Sequence, residues 1–375
     1  MSAPDVLLVG PAGHDTGGIA RYMAEQQQVL SDRIQLRVFD VATPRGSGIA
    51  WALRAVGTAL GDALRFPFRR RPDIVHVHTS HYFSFYLSAF YVLFAALVWR
   101  STVVVHVHGS SFDEFVEDAG RSRATFQSLV LGRADGVVVL SGYWAEVLSA
   151  RVPESKLYVL PNAISPGEYS PRYDAEPARV TFVSNLIERK GVVEFVEAVD
   201  ALLAEAPPGE FRVTVAGAGP LSEEVASLAA RHESVSYLGY VSEAEKRRLL
   251  DESTVFVLPT HAEGLPIAML EGMAGGNAIV STRVGSIPDV LSDDNGILVA
   301  PGDAEALRAA LESLLGDRAR TERMARANRR LVEETYSWQS VGEGLVSLYD
   351  HFGTQGTATR EHDRSVSDAS RESEE

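Results

Sequence analysis

At 375 residues, with 45% hydrophobic and 23% charged side chains, the chain has an ordinary globular composition and the length of two or three domains with their own cores. A formal net charge of −15 excludes extended nucleic-acid binding, which needs a basic face to neutralise phosphates. The absence of cysteine excludes disulfides, thiolate catalysis and Cys-ligated zinc or iron–sulfur centres, and fits a cytoplasmic protein. Lysine occurs only as Lys156, Lys190 and Lys246, the other basic residues being arginine. The opening residues, MSAPDVLLVGPAGHD, carry no basic segment and too short an apolar run for a signal peptide.

In chain order, Val6–Gly10 reads as a buried strand, followed by a glycine-rich turn in which Gly17 and Gly18 open a helix near Ile19. The turn lacks the G-x-G-x-x-G dinucleotide pattern, which argues against NAD. Residues 36–40 form a second expected strand, 49–65 a helix, and Asp73–His78 a third strand. The stretch 81–100 holds 18 uncharged residues between His81 and Arg100, enough for a membrane span by length. Its place between two strands, its serines and its aromatic content favour a helix of the sheet over a span; the alternative is an apolar face that touches the membrane surface.

Thr102–Gly109 is the fourth expected strand. His106 and His108 stand two apart and point the same way, but spacing offers no third metal ligand. His106 lies deep in the apolar run and reads as core, whereas His108 sits at the carboxyl end of the strand, where open α/β sheets bind ligands. Strands over 134–141 and 156–162 complete the first half, and the Pro-rich run 165–177 reads as a linker.

The second half repeats the rhythm: a strand at 179–183, the loop Ser184–Gly191, a helix over 192–204, and a strand at 211–216 running into Gly217 and Gly219. A strand at 235–242 then leads to a helix at 243–251, and Val255–Leu258 reads as a buried strand. After it comes THAEGLPIAMLEGMAG, residues 260–275. Pro266 belongs to the first turn of a helix, so Glu263 lies in a strand-to-helix loop and the amides of Gly264 and Leu265 lie at a helix start. That end suits a phosphate. Glu271 falls one and a half turns further on. An anion site flanked by two hydroxyl-accepting carboxylates fits a nucleotide sugar. Residues 303–334 read as helical, 336–352 as a last helix, and the tail from 353 as disordered.

The segment EGLPIAMLE resembles the signature of family 4 of the retaining glycosyltransferases, and the resemblance extends over roughly residues 5–350. It implies an α/β fold of two facing Rossmann-like domains (GT-B architecture) with a cleft between them. These are an acceptor-side domain over 1–165 and a nucleotide-sugar domain over 178–335, with the helix 336–352 crossing back to the first. It also implies roles. Glu271 would hold the ribose and Glu263 the sugar hydroxyls. Lys190, with Arg189, Gly264 and Leu265, would hold the diphosphate, and Gly17 and Gly18 would face it. Gly217, Gly219 and the backbone at Val241 would line the nucleotide, and His108 would contact the transferred sugar.

One departure stands out. Where the family has Gly-Arg-Leu, this chain has Ser184-Asn185-Leu186, so either Arg189 replaces the missing cation or Asn185 donates a neutral hydrogen bond. With no Asp-x-Asp motif, no metal and no cofactor are expected. The expected partners are a nucleotide sugar and a saccharide or lipid-linked acceptor, with no nucleic acid and with membrane-surface contact through residues 81–100. The expected activity is sugar transfer in surface glycan, polysaccharide or glycoprotein glycan assembly, on the cytoplasmic side and peripheral to the membrane. The alternatives are a nucleotide-sugar epimerase and a nucleotide-sugar-binding protein with a degenerate site.

Overall fold

The computed structural model describes residues 4–12, 17–41, 48–207 and 209–353. The chain divides into two units, Met1–Leu160 with Val341–Glu375, and Pro161–Ser340. Each is built on one six-stranded parallel sheet.

In the first unit the strands are β1 (Asp5–Gly10), β2 (Gln35–Asp40), β3 (Ile74–Thr79), β4 (Thr102–Val107), β5 (Gly136–Val139) and β6 (Leu157–Val159), in the order β2-β1-β3-β4-β5-β6. The central strands read as continuous Val-rich runs because helices cover both faces of a parallel sheet, and β3 is buried at all six positions. A last helix over 338–353 runs back onto this unit. There the Tyr349 hydroxyl meets His76 Nδ1 at 2.5 Å and accepts a hydrogen bond from Gln26 Nε2 at 2.8 Å.

In the second unit the strands are β7 (Ala178–Val183), β8 (Phe211–Ala216), β9 (Val235–Tyr237), β10 (Val255–Leu258), β11 (Ala278–Thr282) and β12 (Gly296–Val299). Their order, β12-β11-β10-β7-β8-β9, is doubly wound: from β7 the chain lays β8 and β9 to one side, then returns to place β10, β11 and β12 on the other. The connections therefore diverge between β7 and β10, and at such a switch point a crevice opens outside the carboxyl ends of the strands. The core beneath is apolar. The helix Val192–Glu205 buries Val192, Phe195, Ala198, Val199 and Leu202 at helical spacing, and Phe195 packs on Phe182 of β7 with ring centroids 4.9 Å apart.

Several boundaries differ from those the sequence suggests. The helical stretch 303–334 is two helices, Ala304–Gly316 and Arg318–Thr335, because Asp317 turns out of the first and caps the second through a 2.9 Å bond from Arg320 N. The strand expected to run through His108 stops at Val107, and the strand from Val235 stops at Tyr237. Residues 81–100 form an α-helix over Phe83–Phe94 that loosens into a π turn over Ala95–Trp99. Among the described residues no helix is long and apolar enough to cross a membrane. The tail expected to be disordered lies outside the described residues except for Gly353, which still belongs to the last helix.

Candidate functional site

The loops that follow β7 and β10 flank the switch point of the second sheet, and they are stitched to each other. The backbone of His261 and the hydroxyl of Thr260 both donate to the Arg189 carbonyl, at 2.8 and 2.9 Å. The Arg189 guanidinium donates back to the Ala262 carbonyl at 2.5 Å. Gly191 makes this closeness possible. Its φ of +71° favours glycine, and a Cβ there would overlap the Pro259 carbonyl. Gly285 holds the far side of the second loop, with φ +52° and no room for a Cβ against the Glu263 carbonyl.

Within this frame the expected charges meet. Lys190 Nζ pairs with Glu263 Oε1, and the two side chains are 14% and 9% exposed. The Thr260 hydroxyl lies 3.3 Å from the same carboxylate oxygen and the Arg189 guanidinium 4.0 Å from it. Asn185, in contrast, is exposed. Arg189 is thus the second cation at this carboxylate.

Gly264 and Leu265 lead into the helix Ile267–Ala274, which has Pro266 as its N-cap. The Leu265 carbonyl accepts from Asn162 Nδ2 at 2.7 Å, which ties the start of the second unit to the loop. Glu271 is 2% exposed and pairs with Lys246 Nζ at 2.9 Å.

Lys246, the partner of Glu271, is a residue of this candidate site that the sequence did not single out. It projects from the helix Glu243–Asp251, whose first turn is closed by a Ser242–Glu245 cap directly after Val241. The available signal was scarcity: of three lysines in the chain, two end on the two signature glutamates. Gly217 and Gly219 follow β8 and press against the carbonyls of Ser184 and Leu186, where a Cβ would overlap. Lys190, Arg189, Asn185, Glu263, Gly264, Leu265, Glu271, Gly217, Gly219 and Val241 therefore all follow the carboxyl ends of strands in one sheet.

Gly17, Gly18 and His108 belong to the first unit. Gly17 caps the helix Gly18–Leu30, and its carbonyl accepts from Arg21 N at 3.0 Å. Among the described residues, none comes within 4 Å of where a Cβ would sit on either glycine. His108 is half-buried just past β4, with its Nε2 3.0 Å from His78 Nδ1. His106 is fully buried, as a core residue would be, and its ring lies against the imidazoles of His76, His78 and His108. Asp113, at the start of the helix Phe112–Glu117, accepts from the Tyr143 hydroxyl at 2.8 Å.

Two family descriptions match the chain in succession: "Glycosyl transferase 4-like domain" over residues 5–163 and "Glycosyl transferases group 1" over residues 177–317. The chain belongs to glycosyltransferase family 4. The glycosyltransferase is 25% identical to glycogen synthase of Mycobacterium tuberculosis over 292 residues, which is 74% of this chain and 69% of that protein. It is 31% identical to the amylovoran biosynthesis glycosyltransferase AmsK of Erwinia amylovora over 225 residues, 56% of this chain and 55% of that one. It therefore spans about half the length of AmsK. Among solved structures it resembles HepE of Anabaena, determined with UDP bound, at a TM-score of 0.71 and 15% identity, covering 92% of this chain and 100% of that one. At that identity the likeness speaks for the fold, two Rossmann-like domains of GT-B type.

Proposed function

We propose that this glycosyltransferase moves a sugar from a nucleotide-diphosphate sugar to a saccharide or lipid-linked acceptor, with retention at the anomeric carbon. The observation that carries the reading is the pairing of Lys190 and Arg189 with Glu263 across the switch point of the second sheet. The β- and α-phosphates dock at the Gly264–Leu265 loop and the start of the helix Ile267–Ala274, where backbone N–H groups and the helix dipole favour anions.

Lys190 then serves two anions, the diphosphate and Glu263, and Arg189 supplies the positive charge that Asn185 lacks. Charge grows on the departing diphosphate as the glycosidic bond breaks, and cations already in place stabilise it without reorganising. Glu263 accepts from the sugar hydroxyls and Glu271 from the ribose. The pairing of Glu271 with Lys246, on the helix that follows the Val241 loop, supports a nucleoside at that end. Same-face attack, with the leaving phosphate drawing the acceptor proton, accounts for retention with no protein nucleophile, and no divalent ion is needed at the diphosphate.

HepE, of the same fold, has been determined in complex with UDP, and AmsK is an amylovoran biosynthesis glycosyltransferase; these support a sugar nucleotide and a surface glycan here. A cytoplasmic enzyme held to the membrane surface fits a lipid-linked acceptor. The helix Ile49–Arg65 and the turn after it expose Ile49, Leu53, Leu60, Leu64 and Phe68 in one stripe, next to Arg65, Arg69 and Arg70. The helix Phe83–Phe94 adds exposed Phe83, Tyr86 and Phe90. Apolar side chains flanked by arginines in an otherwise acidic protein suit an anionic bilayer.

A thermal-shift screen across nucleotide sugars identifies the donor, since a ligand at 100 times its Kd stabilises by about 2.7 kcal/mol. The product of that donor with acceptor extracts, read by proton NMR, should carry the anomeric configuration of the donor. Inversion, or conversion of the donor alone to its epimer, contradicts the proposal.

A further inference from the structure

The first unit carries three buried imidazoles, His76, His78 and His106, that the transfer chemistry leaves unused. Side chains two apart on a strand share a face, so β3 presents His76 with His78 on the face where β4 presents His106, and His108, just past the end of β4, stacks on His78 and His106. The register sets His78 directly beside His106. Ring centroids lie 4.4 Å apart for His76 and His78, 5.1 Å for His78 and His106, and 4.0 Å for His106 and His108. Tyr22, from the helix Gly18–Leu30, closes over them with its ring 5.3 Å from that of His106.

A neutral imidazole has one nitrogen that donates and one that accepts, and buried polar atoms find partners as a rule. The fully buried rings of His76, His78 and His106 break that rule. Nδ1 of His76 meets the Tyr349 hydroxyl and Nδ1 of His78 meets His108. Among the described residues, Nε2 of His76, Nε2 of His78 and both nitrogens of His106 have no hydrogen-bond partner.

We propose that His76, His78 and His106 form a binding site for one imidazole-preferring divalent d-block cation, with zinc as the reference ion. A His-x-His pair on one strand and a third histidine directly across on its neighbour offer three ligand atoms that already lie within 4.8 Å of one another. Tetrahedral zinc with bonds of about 2.0–2.1 Å needs nitrogens about 3.3 Å apart, so small ring rotations complete the site and a water takes the fourth position. Burial suppresses protonation of all three rings: His76 is pushed down to about 3, with the nearby His108 adding to the effect, and His78 and His106 fall well below the usual histidine value. Neutral imidazole is the form that binds metal.

Coordination through Nε2 forces the proton of each β3 histidine onto Nδ1. His76 Nδ1–H then donates to the Tyr349 oxygen, which Gln26 Nε2 also approaches at 2.8 Å, and His78 Nδ1–H donates to His108 Nε2. These are outer contacts of the kind that orient metal-bound histidines. His108 is thereby held as the tautomer with its proton on Nδ1. The inference concerns the first unit alone and does not depend on the donor reading.

The test uses the full chain purified without a polyhistidine tag, stripped with a chelator and then titrated with Zn²⁺ and with Co²⁺. We expect about one equivalent of zinc by elemental analysis, a Co²⁺ visible spectrum typical of a four-coordinate nitrogen site, and a higher melting temperature on Zn²⁺ addition. His106→Leu should weaken binding at least about tenfold, while the control His261→Ala, at an exposed histidine of the second unit, should leave it intact. If His106→Leu does not fold, the wild-type Co²⁺ spectrum and melting shift decide alone. Less than about a tenth of an equivalent with no melting shift, or binding unchanged in His106→Leu, overturns the proposal.

Discussion

Lys190→Ala separates the two tasks of the central lysine. In the folded protein its ammonium pairs with a Glu263 carboxylate that is only 9% exposed. Removing one partner of a fully buried ion pair costs about 3–5 kcal/mol, because a charge is left behind without compensation. Here the Thr260 hydroxyl at 3.3 Å and the Arg189 guanidinium at 4.0 Å remain beside the carboxylate and recover part of that, so we expect a loss of about 2 kcal/mol. For a unit of this size that lowers the melting temperature by roughly 4–8 °C.

Turnover falls further. One missing cation at the departing diphosphate is worth about 3 kcal/mol of transition-state stabilisation, or roughly a hundredfold in rate. The decisive comparison is the double variant Lys190→Ala/Glu263→Gln, in which neither charge remains. Urea denaturation should return its stability to within about 0.5 kcal/mol of wild type while its transfer rate stays at or below that of Lys190→Ala. A double variant no more stable than Lys190→Ala, or wild-type turnover in Lys190→Ala, would refute the reasoning.

Lys246→Met strips the partner from Glu271, which is 2% exposed; the melt should lose about 3 kcal/mol, and adding Glu271→Gln should restore most of it without restoring donor affinity, as read by urea melts and calorimetry. Asn185→Arg adds a cation to the loop after β7, where Arg189 already supplies the charge, and should leave kcat within about twofold; a several-fold rise, about 1 kcal/mol of leaving-group stabilisation, would show that Arg189 does not fill the role. Leu60→Glu/Leu64→Glu places two charges on the exposed stripe of the helix Ile49–Arg65 and should abolish co-sedimentation with anionic vesicles while leaving donor binding unchanged.

The second unit was the more legible half because its signals are local. Val255–Leu258 is four buried apolar residues, THAEGLP follows as a loop, and the helix start is fixed by Pro266, so the placing of Glu263 and Glu271 followed from spacing. Lys246 was hidden because its partner is 25 residues away, and only the fold brings the helix Glu243–Asp251 against Glu271. Asp317 was hidden for a different reason: the charge pattern of 303–334 continues unbroken through a residue whose side chain caps one helix while its backbone ends another. The histidine cluster shows the limit most clearly. His-x-His is visible twice, at 76–78 and 106–108, but strand alternation says only that each pair shares a face. That the two pairs share the same face, with His78 beside His106, depends on the register of β3 on β4.

Isothermal titration of the full chain with UDP and with GDP, repeated on Lys190→Ala and Glu271→Gln, tests most directly whether the switch point of the second sheet holds a nucleoside diphosphate. The account predicts one diphosphate bound per chain, with affinity at least about tenfold weaker in each variant, a loss near 1.4 kcal/mol. Binding of neither nucleotide, or affinities that both variants leave untouched, would contradict it.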